Sequence, residues 1–472
     1  MTHKSVLDIM PLTRELCTFV TGVVADDNEK LFQRLQQELP FKIHRYPSGK
    51  LHNGWVVPQN WRVEKAILSK DGTVVFDGLG HPLGVGMYSQ PFEGTLDLEE
   101  LKPHLVTNPD LPDAYMFHSI WHIRSWAADW KLCMPYDIYA TLTPGAYKVE
   151  LKTVIEPGEM LVAEYKHQGR SDKTIIFNAN NCHPGQANDG FAAVSVLVHL
   201  FKWLKGQDTY YNYRLVLGPE HMGSVHYLSE KTAEEIEKIV SCVFAEMPGN
   251  QAAICATSTL LGGQLIDRAF SNVLNHYVER FVHAGWREGG GNDETVWEAP
   301  GHEIPTVELT RSIDPEHPYP EYHSSHDNPD LMDADMIAEF VDVLKRVIFV
   351  AENNAVIYRH FDGLICLSHP DYELYFERHD PTIDKSLTNE DEKWGHLLDS
   401  LLRYFDGEMT VLDIAEKHDL PFDRLLRYIQ RFEEKGLITM EFKPIERPRL
   451  SRRHPRGEQN DDAPRRREAA GE

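Results

Sequence analysis

Six side chains, in four separate stretches, could together hold a divalent cation. His183 and Asp189 share the polar run "NANNCHPGQANDG", residues 178–190. Glu220 and His221 follow the apolar stretch "YRLVLGP", Glu246 ends "VSCVFAE", and His323 sits in "PEYHSSHDN" beyond "PTVELTR". Histidines together with carboxylates suit zinc, which takes imidazole nitrogen and carboxylate oxygen. Two ions about 3.5–4 Å apart would need a carboxylate shared between them. A glutamate beside the metal could take a proton from bound water. Taken singly, each acid reads as readily as a helix cap or a solvated strand end, and Asp189 directly precedes an apolar helical stretch that it could cap. What sets the residues apart is that they share one kind of position.

That position depends on the elements around them. From about 129 to 360 the chain alternates strands and helices: "EMLVAEYKHQ", "KTIIFNAN", a helix over 191–205, "YRLVLGP", a helix over 222–238 and "KIVSCVFAEM". A helix near 268–284, the strand "PTVELTR" and the helix "DADMIAEFVDVLKRVIFVAEN" complete the series. Such alternation predicts an α/β sandwich on a mixed or largely parallel sheet. Ligands of open α/β sheets gather outside the carboxyl ends of the strands. The candidate side chains therefore fall on one edge of one sheet.

The flanks differ in character. Residues 5–39 show the three-to-four spacing of two amphipathic helices. The segment 46–128 alternates apolar and polar residues around an Asp71-Gly72 turn and predicts a small β-rich module. Trp121, Trp126 and Trp130 fall near its far boundary, as hinge packing or as a substrate wall. Residues 395–445 run short helix, turn at Asp419-Leu420-Pro421, longer helix, Gly436 and strand, the order of a winged helix-turn-helix. Residues 446–472, rich in Arg, Pro and charge, read as a disordered tail.

Composition narrows the class. A formal charge of -25 argues against broad attachment to nucleic acid or anionic lipid. No apolar run approaches the roughly 20 residues of a membrane span. The six scattered cysteines read as reduced thiols of a cytoplasmic protein. In the candidate recognition helix, Arg424, Arg427, Arg431 and Lys435 are diluted by Asp423, Glu433 and Glu434, so protein contact or dimerisation is the expected use of this unit.

At these residues the chain resembles the zinc aminopeptidase family that also includes glutamate carboxypeptidases and glutaminyl cyclases. More closely, it resembles a bacterial aminopeptidase-like subfamily with a β-rich insertion and a C-terminal winged helix. The stretches that carry the likeness are "YPSGKLHNGWVVPQNWRVEKA", "LEELKPHLVTNPDLPDA", "CHPGQANDG", "GPEHMGS", "NDETVWEAPGHEIPTVELTR" and "YPEYHSSHDN", covering roughly residues 5–445. The resemblance implies an aminopeptidase-like catalytic domain over 1–45 and 129–360, an inserted domain over 46–128, and a linker with winged helix over 361–445. It implies one or two zinc ions, with His183 and His323 as ligands and Asp189 as the bridge. Glu246 stands where the family has an aspartate ligand. Glu220-His221 replaces a Glu-Glu pair, so Glu220 fits the general base and His221 a ligand, or Glu220 is itself the ligand. Asp293, in "GGNDET", matches a pocket-lining position that would hold a substrate amine or orient a ligand, and with Glu294 would suit a positively charged substrate terminus. The implied activity is hydrolysis of an N-terminal amide bond in a small peptide or aminoacyl compound. The alternatives are an altered relative, a cyclase or an amide hydrolase of a biosynthetic pathway, and a metal- or peptide-sensing protein acting through its winged helix.

Overall fold

A computed structural model describes residues 9–118, 124, 126–311, 314–375 and 389–448. The expectations for Trp121 and for the tail beyond 448 lie outside the described residues.

The centre of the molecule is an eight-stranded mixed sheet. Four parallel strands form its middle, in the spatial order Asn212–Gly218, Thr174–Asn180, Ile239–Ala245 and Thr306–Thr310. Thr174–Asn180, Ile239–Ala245 and Thr306–Thr310 are buried at every position, as strands covered on both faces must be. The period-2 alternation divides their side chains between two cores. Ile175, Phe177 and Ala179 face one, with helices Ala192–Leu204, Leu265–Tyr277 and Ala334–Asn353. Ile176 faces the other, with Val216, Cys242 and helix Met222–Ser229.

Antiparallel strands close both sides. Glu159–His167 pairs with Asn212–Gly218, and Lys42–Pro47 pairs outside it. On the other side Ile254–Thr257 runs antiparallel to Thr306–Thr310 and carries Phe281–Ala284 at the edge. The helix expected near 268–284 thus ends at Tyr277, and its apolar continuation becomes the edge strand. The helix expected over 222–238 breaks at 230–232, where Thr232 opens a second short helix with a capping box. The first helical stretch also stops early, at Leu16.

The β-rich module runs past the expected boundary at 128: its four-stranded antiparallel sheet, ordered Thr73–Asp77, Asn60–Lys70, Ala146–Glu156, Phe92–Asp97, takes its third strand from beyond it, because Ala146–Glu156 pairs with both neighbours. Asp71 (φ 50°) and Gly72 (φ 78°) make the expected tight hairpin turn, both central residues having positive φ. Trp130 is buried in this module, stacked on His104 (4.1 Å) and Phe92 (4.7 Å), and so serves packing. Trp126 is exposed.

The C-terminal unit has a three-stranded sheet with Ala355–Arg359 between Asp406–Thr410 and Ile438–Phe442. Helix Val411–His418 opens with a Thr410/Asp413 capping box and closes on Asp419 in the left-handed region. Helix Phe422–Glu434 follows. This pair leans on the central domain. Buried Asn272 donates to Leu420 O (2.9 Å) and accepts from Phe422 N (3.0 Å), while Arg268 bridges Asp413 and Glu416. Asn272→Ala leaves a buried carbonyl and a buried N–H unmet, so we expect a loss of about 1–3 kcal/mol. Urea unfolding followed by circular dichroism measures it, with the midpoint falling at unchanged m-value.

Candidate metal centre

The four parallel strands end on one edge, and the chain leaves three of them through the candidate residues. His183 lies just past Asn180, and Asp189 lies inside an irregular turn that precedes helix Ala192–Leu204. Gly190, at φ 123°, takes a conformation barred to other residues and lets the backbone reverse directly after Asp189. Asp327 holds this turn: its carboxylate accepts the N–H groups of Asn188 (2.8 Å) and Asp189 (2.9 Å). Burial, reinforced by the negative charge of Asp189, pushes the Asp327 carboxyl up to about 7.

Three candidate ligand atoms converge here. His183 Nδ1 lies 3.1 Å and His323 Nε2 lies 3.2 Å from Asp189 Oδ2. All three atoms are buried and none has a partner in hydrogen-bond geometry. Two donor atoms bound tetrahedrally to one zinc lie about 3.3 Å apart. The spacing, the burial and the missing hydrogen bonds therefore fit a shared cation. Burial alone would lower the His183 pKa, but the Asp189 carboxylate outweighs it and the imidazole is held well above its ordinary value. Asp189 is correspondingly held below the usual carboxylate range, since His183 and His323 outweigh its burial.

Glu220 borders this cluster, with Oε2 3.6 Å from His183 Nε2 and Oε1 3.6 Å from His221 Nε2. His221 has an uncommon backbone for a non-glycine residue, φ 52°. Its Nδ1 lies 3.2 Å from Asp293, leaving Nε2 turned toward Glu220. That is the arrangement in which a carboxylate orients a ligand imidazole.

Glu246 sits apart from the three-atom cluster. Its Oε2 accepts from Asn292 Nδ2 (3.0 Å), and Asn292 in turn accepts from Asn180 Nδ2 (2.9 Å). Burial, then the neighbouring Glu308, push the Glu246 carboxyl well above its ordinary value. Asp293 and Glu294 are both buried. Asp293 is engaged by His221 and Ser224, and Glu294 by Arg287 (3.0 Å) and the Asn292 N–H (2.6 Å). Neither carboxylate lies open to a substrate amine.

The sequence reading passed over Cys182, Asn292, Glu308, Asp327 and Phe117. Cys182 and Asn292 adjoin residues it did single out, and Glu308 and Asp327 lie within the quoted stretches "PTVELTR" and "PEYHSSHDN". Phe117 carried no local signal, because it arrives from the β-rich module. Its ring lies 5.0 Å from His183 and 5.1 Å from His323, between centroids. The Phe117 N–H donates to His323 O (2.7 Å), and the Ser325 N–H donates to Tyr115 O (2.8 Å). The module thus grips the very loop that bears His323, a residue itself at φ 55°.

A family model described as a domain of unknown function, DUF4910, matches residues 6–354. A Clostridium acetobutylicum protein, provisionally named a polysaccharide biosynthesis protein with an aminopeptidase-like domain, is 27% identical over 435 residues, covering 89% of this chain and 93% of its own. The crystal structure of a provisionally assigned peptidase from Clostridium acetobutylicum superposes with a TM-score of 0.77 at 24% identity, covering 93% of this chain and 97% of its own. A zinc aminopeptidase from Bacillus subtilis superposes at 0.56 and 14% identity, covering 74% of this chain and 95% of its own. These likenesses establish a mixed α/β fold similar to aminopeptidases.

If the three converging atoms hold an ion, zinc at a hundred times its Kd stabilises the fold by about 2.7 kcal/mol. We expect a rise in thermal midpoint that a chelator reverses and that His183→Ala or His323→Ala abolishes. Asp327→Ala, which frees the Asp189 turn, should weaken zinc about 10–100-fold in competition with a chromogenic chelator.

Proposed function

We propose, for a chain that belongs to the DUF4910 family, a zinc-dependent hydrolase of the aminopeptidase type, cleaving an N-terminal amide bond of a peptide or aminoacyl compound. The observation that carries this reading is the convergence of His183, Asp189 and His323 on buried atoms that stand 3.1–3.2 Å apart as ion pairs without forming hydrogen bonds, with Glu220 beside them. Zinc, when bound, lowers the pKa of its water toward neutrality and polarises a carbonyl. Glu220 is partly exposed and within reach of the same space, so it takes the water proton on a carboxylate oxygen and passes it to the leaving amine. Asp293 fixes the His221 ring, and His221 presents Nε2 to the edge of the centre as a further ligand.

A single ion is the version these contacts favour. Both histidines face the same oxygen of Asp189, and Glu246 is engaged by Asn292. Those features, with Glu220-His221 in place of two glutamates, also suit a second reading: an altered relative that hydrolyses or cyclises a modified amino-acyl compound. The name of the Clostridium acetobutylicum relative, with its reference to polysaccharide biosynthesis, fits a substrate outside protein turnover.

For the C-terminal unit we propose a winged-helix-like module used for protein contact. The start of helix Phe422–Glu434, where a recognition helix reads base edges, is docked on Asn272 and Tyr277. Its cations are occupied as well: Arg427 by Asp423, Arg431 by Glu373 O and Lys435 by Asp371 O. Cytoplasmic location belongs to the same proposal and rests on the cysteines, which are all free among the described residues.

Metal analysis of the purified protein, run beside a panel of aminoacyl amides and dipeptides, tests the activity. Glu220→Gln with unchanged zinc content should lose about 10²–10⁴-fold in kcat. Turnover near that of the parent protein removes Glu220 from the reaction, and a zinc-loaded protein inert to the whole panel favours the altered relative.

A further inference from the structure

The loop "GWREGGGND", residues 285–293, joins the edge strand Phe281–Ala284 to the short helix that Glu294 opens. Its successive glycines lie where no side chain fits. A Cβ at Gly289 would stand 2.5 Å from Thr257 Cγ2, one at Gly290 2.7 Å from Glu308 Oε1, and one at Gly291 2.4 Å from Arg287 Nη2. The Arg287 guanidinium therefore fills the space that a side chain at Gly291 would need. Arg287 itself lies at φ 60°, a costly backbone for so bulky a residue and one that collects at functional sites.

Glu294, with its side chain 1% exposed, accepts one N–H of Arg287 at 3.0 Å. Arg287 is 39% exposed, and among the described residues its other N–H groups meet no acceptor. A guanidinium presents its donors in a rigid fork that matches a carboxylate bidentately. Laid on Gly291 and pinned by Glu294, this fork is set before any ligand arrives. It also stands beside the candidate centre: Asp293, which precedes Glu294, lies against His221, and Asn292 donates to Glu246. Asp293 and Glu294 are turned inward while Arg287 is turned outward. The charge this loop offers to a substrate is thus positive, the reverse of what its two acids suggest in the sequence.

We infer that Arg287 is a subsite for a carboxylate on the leaving-group side of the scissile amide. The inference rests on the hydrolase reading and narrows its substrate to compounds whose released amine is an amino acid with a free carboxylate, a dipeptide among them. Arg287 binds and orients that group and moves no proton.

The test sets dipeptides against their C-terminal amides, leucylglycine beside leucylglycinamide, with the zinc-loaded full chain. The parent protein should show a KM about 10–100-fold lower for the dipeptide, the weight of a charge-assisted contact. Arg287→Gln should abolish that preference through a rise in KM. Arg287→Lys, which keeps the charge without the fork, should retain only part of it. Binding is read without turnover: acetylglycine should give saturation-transfer NMR signals with the parent protein that Arg287→Gln loses, and acetylglycinamide should give far weaker ones. Equal treatment of carboxylate and amide by the parent protein, in turnover and in binding, overturns the subsite and leaves the hydrolase reading standing. Arg287-dependent binding of acetylglycine by a zinc-loaded protein that cleaves no member of the panel upholds the subsite and overturns the peptidase reading.

Discussion

The site is organised around one oxygen atom. Asp189 Oδ2 is buried, carries charge, and has two imidazole nitrogens at 3.1 and 3.2 Å without a hydrogen bond to either. Leaving a buried polar group unmet costs about 1–3 kcal/mol, and more when the group is charged. A fold that gathers three such atoms must hold them in place by other means. The means are visible: Asp327 takes the N–H groups of the Asp189 turn, Gly190 lets the chain reverse, and Phe117 packs on both imidazoles.

Backbone strain collects at the same edge. His221 (φ 52°), Met247 (φ 45°) and His323 (φ 55°) all lie in the left-handed region, and each is a candidate ligand or follows one directly. Such residues cost about 1–3 kcal/mol each and persist where the surroundings over-determine them. For His221 the surroundings are Asp293, which accepts its backbone N–H and lies 3.2 Å from its ring Nδ1. For His323 they are the paired backbone of the β-rich module and the stacked ring of Tyr322 at 3.8 Å. The module is thus a structural member of the centre and not an appendage beside it.

The C-terminal unit is joined to the central domain just as firmly. Its apolar side chains continue the larger of the two central cores, and Ile445 N donates to the hydroxyl of Tyr211, on the central domain, at 2.7 Å. A helix pair with this order could serve a nucleic acid or a protein. What distinguishes the uses is which face remains free, and here the start of the second helix is turned inward.

Much of this was legible in the residues themselves, for local reasons. Runs such as "TIIF" and "VSCVFA" are short, mostly apolar and rich in β-branched residues, which reads as strands buried on both faces, and the Asp71-Gly72 pair reads as a tight turn. Polar residues at the ends of those strands then had to share an edge, which is why His183, Asp189 and Glu220 were found together. Two kinds of fact lay beyond the sequence. The strands Ile254–Thr257 and Phe281–Ala284 are four residues each, too short for periodicity to separate from loop or helix, and only pairing at the sheet edge defines them. The direction of each polar side chain was decided by partners distant in the chain: Asn292 claims Glu246, Asp293 lies against His221, and Phe117 arrives from over sixty residues before His183. Sequence determines which groups reach the edge, because strand burial is a local property. Tertiary structure alone decides which of them face one another, because a buried carboxylate turns to whatever donor the rest of the fold brings.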